Sequence, residues 1–111
     1  DAPLLPQQLK RLATRVSLGI GKLGGIGADS SGDLFLAFST ASVPSTTFLS
    51  NEQMNPLFEA TIQCVEEAVI NALVAAETMS GHQNVTVEAI SHEMLTGILQ
   101  KYNRLNASSD Q

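Results

Sequence analysis

This chain is poor in charge, in cysteine and in long apolar runs. Only 15% of its 111 residues are charged, against 43% that are hydrophobic. So low a charge density leaves an apolar face for a partner to cover, and implies that these residues are not a whole folding unit. The length allows one small domain at most. A chain of this size buries only somewhat more than ~60% of its unfolded surface, which makes a modest core. Basic residues are scarcest: six Lys and Arg against eleven Asp and Glu give a net charge of −5. They gather only weakly, at Lys10, Arg11 and Arg15, so no nucleic-acid partner is expected. The single cysteine, Cys64, excludes an internal disulfide and fits a reducing compartment. No apolar run approaches the ~20 residues that span a bilayer, so no membrane partner is expected. There is no n-region/h-region signal pattern. An initiator Met is also missing, so Asp1 is expected to be a processed, cleaved or trimmed start with something missing upstream.

What is present begins with a turn-rich lead, Asp1-Ala-Pro-Leu-Leu-Pro6. Pro6 suits the first turn of a helix, where its missing N–H costs nothing. Leu9, Leu12, Ala13, Val16 and Ile20 recur at helical spacing and predict a helix over 6–18. Gln7, Gln8, Lys10, Arg11, Thr14 and Arg15 are expected on its other side. Gly19, Gly21 and Gly24 form a G-x-G-x-x-G, but it follows a helix and precedes a strand. A dinucleotide site needs the reverse order, so these glycines are expected to cap the helix and shape a loop. Residues 34–40, LFLAFST, predict a strand covered on both faces. Residues 41–51 are rich in Ser, Thr and Pro and predict a loop. Residues 57–79 carry two apolar sets, one including Phe58, Ile62, Val65 and Val69, the other Ala60, Cys64 and Ala68. Together they predict a central, two-sided helix. Thr86 is the expected N-cap of a third helix over 87–102, and 103–111 reads as a polar tail. One strand cannot make a sheet alone, so 34–40 must pair outside this chain or with strands not visible in the pattern.

Most chemistry-bearing residues have plain readings. His82 and His92 lack metal-ligand spacing and read as surface histidines. Cys64, among Val65, Ala68 and Val69, reads as a buried structural thiol, because no basic group adjoins it to lower its pKa. Glu66 and Glu67 are adjacent and diverge on a helix, so they are not a matched acid/base pair. Ser30, Ser31 and Asp33, in GIGADSSGD, leave two readings open. Residues two apart point the same way in extended chain, so Asp33 could hold the Ser31 hydroxyl for a proton relay while the glycines admit another backbone. Alternatively the stretch is an Asx/Ser turn leading into a strand.

Several blocks then carry a resemblance. They are Asp1-Ala-Pro-Leu-Leu-Pro6, Gln8-Leu-Lys-Arg-Leu-Ala13, Ser30-Ser-Gly-Asp-Leu-Phe-Leu-Ala-Phe-Ser-Thr40, Leu57-Phe-Glu-Ala-Thr-Ile-Gln63, Glu66-Glu-Ala-Val-Ile-Asn-Ala-Leu73 and Met79-Ser-Gly81. In that order, and over nearly the full chain, they resemble the small β-chain of the L-aminopeptidase D-Ala-esterase/amidase family, with its β-peptidyl aminopeptidases. The resemblance implies an α/β fold, a four-layer α/β/β/α sandwich. A separate α-chain cut from the same precursor completes it, and this β-chain is mostly helical with at least one buried strand. Residues 1–111 would then be a single segment rather than an independent domain. The implied reaction releases an N-terminal residue from a peptide, amide or ester through an acyl-enzyme on an N-terminal serine. That serine lies upstream of Asp1, and no metal or organic cofactor is needed. Ser31 and Asp33 match the family's supporting Ser-x-Glu or Ser-x-Asp pair, with Asp33 the shorter acid. The oxyanion hole and the groups for the substrate amine would come from the α-chain, and the αβ units would form an oligomer. The acetyl-transferring enzymes of arginine synthesis share the broad fold but use threonine, and their motifs are not found here. The rival reading is a non-catalytic helical interaction module that docks through the second face of the central helix.

Overall fold

The structure, a computed structural model, describes residues 2–42 and 48–105. Part of the expected loop (43–47) and most of the expected tail (106–111) lie outside the described residues. Three helices dominate: α1 (Pro6–Lys22), α2 (Asn55–Ala75) and α3 (His92–Lys101). A two-residue hairpin, β1 (Met79–Ser80) and β2 (Thr86–Val87), lies between α2 and α3, and a 3₁₀ turn (Asn51–Met54) leads into α2. The chain divides into two compact units, residues 1–68 and 69–111.

In the first unit, α1 starts at Leu5 with Pro6 in its first turn. Gln8 Oε1 accepts from the Leu5 N–H at 2.9 Å. This is half of a capping box, since leucine has no side-chain acceptor to return the bond. Gln8 is only 2% exposed, and its Nε2 donates to the Leu49 carbonyl at 2.8 Å and to Asn51 Oδ1 at 3.3 Å. A buried amide is tolerable because its groups are bonded. Among the described residues, Met54 and Phe58 are the buried large apolar side chains. The Arg11 and Arg15 guanidinium carbons lie 4.9 and 4.1 Å from the Phe58 ring centroid. Three side chains expected to face away from the core, Gln8, Arg11 and Arg15, are therefore buried or half-buried. Full hydrogen bonding of the amide and the attraction of guanidinium for a ring face overrode the polar pattern.

α1 runs four residues beyond its expected end, through Gly19 and Gly21. Packing explains this. Gly19 is buried, and a Cβ there would lie 2.7 Å from Val65 Cβ and 3.0 Å from the Ile62 carbonyl oxygen. The helices cross where only glycine fits. A Lys22–Glu66 ion pair joins them one turn further on. Gly24, at φ +96°, donates to the Gly21 carbonyl at 3.0 Å, and Gly25 donates to the Ile20 carbonyl at 3.0 Å. That bond pair is a Schellman motif, so of Gly19, Gly21 and Gly24 only Gly24 caps as expected, while Gly19 and Gly21 are helical.

Residues 34–40 correct the strand expectation. They form no strand within this chain and are not buried. Leu34, Leu36 and Phe38 are 95%, 87% and 72% exposed, whereas Phe35 is 37% exposed and Ala37 and Ser39 are half-buried. The alternation is that of a strand. The missing element is a backbone neighbour, and a strand without a hydrogen-bonded partner is not a strand.

α2 is likewise exposed on one side. Its half-buried or buried residues include Phe58, Ile62, Val65 and Val69, while Ala60, Cys64 and Ala68 are exposed. The helix is thus two-sided in sequence but packed on one stripe here, and Cys64 is an exposed thiol rather than a buried one.

In the second unit, α2 stops at Ala75 rather than at 79, because Met79 and Ser80 pair antiparallel with Val87 and Thr86. Ser80 Oγ and Thr86 Oγ1 lie 2.9 Å apart across the ladder. Gln83 and Asn84 make the reversal with φ of +60° each. Thr86 is thereby committed to the hairpin, and the cap of α3 is Ser91, whose hydroxyl accepts from the Met94 N–H at 3.3 Å. Asn103, at φ +54°, closes α3 with a second Schellman pair: Asn103 N–H to Gln100 O and Arg104 N–H to Leu99 O.

Candidate functional site

The loop after α1 carries the proposed chemistry. Gly27 takes φ +59°, and the Ser31 N–H donates to the Ala28 carbonyl at 2.7 Å, closing a turn over 28–31. Ser31, Gly32 and Asp33 follow, all exposed and without regular secondary structure. The surroundings are open: a Cβ placed at Gly24, Gly27 or Gly32 would meet nothing within 4 Å. Among the described residues, neither the Ser31 hydroxyl nor the Asp33 carboxylate makes a hydrogen bond to another side chain. The turn is a backbone one, without the side-chain bond of an Asx/Ser turn, and the exposed Ser31 and Asp33 follow it on the way to the apolar segment 34–38.

The remaining reactive side chains do not assemble into a site. Among the described residues, no group of three His, Cys, Asp or Glu could hold a metal ion. His92 Nε2 lies 2.9 Å from the Val74 carbonyl oxygen, a contact that ties the start of α3 to the end of α2. His82 sits in the hairpin reversal.

One polar arrangement was not legible in the sequence. The segment before α1 is held by three bonds from three different places. Ser39 Oγ donates to the Ala2 carbonyl at 2.6 Å, the Leu49 N–H donates to the Pro3 carbonyl at 3.2 Å, and Gln8 Oε1 accepts from the Leu5 N–H. Ser39 Oγ also accepts from the Ala41 N–H at 3.1 Å. A glutamine three residues past a helix start was the available signal for Gln8. No local signal marks Ser39, because its partner lies 37 residues away. A shallow apolar groove lined by Ala2, Leu4, Leu9, Phe38 and Leu57 runs beside these bonds.

Known proteins share the fold of this chain. The chain superposes on the L-aminopeptidase D-Ala-esterase/amidase from Ochrobactrum anthropi with a TM-score of 0.84 and 42% identity, over 96% of this chain and 32% of that one. That protein is described as a prototype for the serine aminopeptidases and a variant of the Ntn hydrolase fold. The PH0078 protein from Pyrococcus horikoshii OT3 gives a TM-score of 0.85 at 40% identity, over 95% of this chain and 32% of that one. In sequence, the chain is 44% identical to the beta-peptidyl aminopeptidase BapA of Sphingosinicella microcystinivorans, over 97% of this chain and 30% of the relative. The chain thus spans about a third of the length of the proteins it matches. Residues 1–87 match Peptidase family S58, and the chain belongs to that family.

Proposed function

We propose that this chain is the β-chain portion of an autoprocessed N-terminal-serine aminopeptidase or amidase. The observation that carries the reading is the 44% identity to a β-peptidyl aminopeptidase across 97% of the chain. The nucleophilic serine lies upstream of Asp1. Its Oγ attacks the carbonyl carbon of the substrate's N-terminal residue, and the C–N or C–O bond to the rest of the substrate breaks. The leaving amine or alcohol takes up a proton, and water then hydrolyses the acyl-enzyme. Ser31 and Asp33 stand beside that serine. In the assembled enzyme, with the nucleophile in place, Asp33 takes up a hydrogen bond from the Ser31 hydroxyl that the chain by itself does not make, and Ser31 steers the proton of the nucleophile. The protein is a four-layer α/β/β/α sandwich in which the α-chain supplies the strands missing beside residues 34–40. The exposed period-two pattern of Leu34, Leu36 and Phe38 supports that pairing. The αβ units associate further into an oligomer.

Mass spectrometry of the full-length expressed product tests the reading. Two chains are expected, the smaller beginning with a serine upstream of Asp1, together with release of N-terminal residues from peptides, amides or esters. A single uncut chain that releases none refutes it.

A further inference from the structure

We propose that Ser39 is a positioning residue for the nucleophile, acting through the Ala2 carbonyl. The inference rests on the reading that the nucleophilic serine lies upstream of Asp1. The Ser39 hydroxyl has one proton, and the 2.6 Å contact with the Ala2 carbonyl commits it there. Its acceptor side takes the Ala41 N–H at 3.1 Å, which orients the hydroxyl. The segment it grips is stiff. Ala2 precedes Pro3 and Leu5 precedes Pro6, so both are confined to extended backbone, and Leu5 has φ −73° and ψ 155°. Neither proline has an N–H to donate, so the segment must be held largely by its carbonyls. The Pro3 carbonyl is held by Leu49 and the Ala2 carbonyl by Ser39. Of the three fastenings, that on Ala2 lies nearest the chain start. By fixing the Ala2 carbonyl, the Ser39 hydroxyl sets where the backbone leading back to the nucleophile begins. Residue 39 also lies on the segment that begins just after Ser31 and Asp33. One stretch of backbone thus carries the proposed relay at one end and the fastening of the nucleophile's chain at the other.

The test uses the full-length protein. Ser39→Thr keeps the hydroxyl and Ser39→Val replaces it with a methyl group of nearly equal volume, and both β-branched residues suit an extended segment. The concentration of reactive serine is measured by burst titration, so that turnover is counted per competent site and a loss of folded protein does not count. A misplacement of about 1 Å costs up to ~10²-fold in rate. Ser39→Val is expected to lose roughly ten- to a hundred-fold in kcat per titrated site, with KM nearly unchanged. It should also self-cleave more slowly. Ser39→Thr should restore both rates, and Ser42→Ala should match the parent. Equal kcat for the Thr and Val proteins overturns the positioning role, whether both are fast or both are slow. A parent that is neither cut nor active refutes the functional reading instead, and is recognised before any variant is made.

Discussion

Replacing Gly19 by alanine should destabilise the protein, although alanine is the better helix former. The new Cβ would lie 2.7 Å from Val65 Cβ, 2.8 Å from Val65 Cγ1 and 3.0 Å from the Ile62 carbonyl oxygen. Carbon pairs sit at about 3.5–4.0 Å when unstrained, so the contact is short by about 1 Å. None of the three atoms is the free end of a flexible chain. Valine in a helix has one strongly preferred rotamer, so Cγ1 cannot swing away. The helices must separate, and such overpacking costs about 1–3 kcal/mol. With every clashing atom this close to backbone, the cost falls near the upper figure. The gain in helix propensity offsets about 1 kcal/mol of it. A net loss of about 2 kcal/mol remains, several degrees in Tm at ~2–4 °C per kcal/mol. Gly21→Ala is the internal control. It lies in the same helix, and its Cβ would meet nothing within 4 Å. It should be neutral or stabilising by up to ~1 kcal/mol. Thermal melts of the full-length variants decide. If Gly19→Ala melts at or above both the parent and Gly21→Ala, the close crossing of α1 and α2 is wrong.

Three further outcomes are expected. Asp33→Asn and Ser31→Ala should each lower turnover by ~10²–10⁴, the usual worth of a positioned proton relay, with melting temperatures near the parent's. Steady-state assays of correctly folded variants that retain parental turnover would return GIGADSSGD to the status of a turn. Gln8→Ala strips the Leu49 carbonyl and the Leu5 N–H of their partners and should cost about 1–3 kcal/mol for each group left unsatisfied; a denaturant midpoint unchanged from the parent's would contradict that. Expressed alone, the 111-residue chain should show neither a sharp thermal transition nor a dispersed amide spectrum, because Leu34, Leu36, Phe38 and the Ala60, Cys64 and Ala68 side of α2 are left exposed. A cooperative melt would show that it needs no partner.

The sequence by itself determined the features that depend on neighbours a few residues apart. Helical spacing located α1, α2 and α3, the glycine cluster announced that α1 is capped though not where, and the low charge content announced an apolar face left uncovered. The ordered blocks from Asp1 to Gly81 carried the family, which the match over residues 1–87 bears out. Element ends were decided by tertiary structure, because ends depend on partners distant in sequence. Gly19 stays helical because Val65 needs its missing side chain, and α3 starts at Ser91 because Thr86 is spent on pairing with Ser80. The inward turn of Gln8, Arg11 and Arg15 was hidden for the same reason. A polar side chain reads as outward until its bonding partner or its ring is in view, and Leu49, Asn51 and Phe58 lie some 40 residues on. Residues 34–40 mark the boundary between the two kinds of information. A nearly unbroken apolar run is written in seven consecutive letters, but a strand also needs a second backbone at hydrogen-bonding distance, and no local pattern contains that.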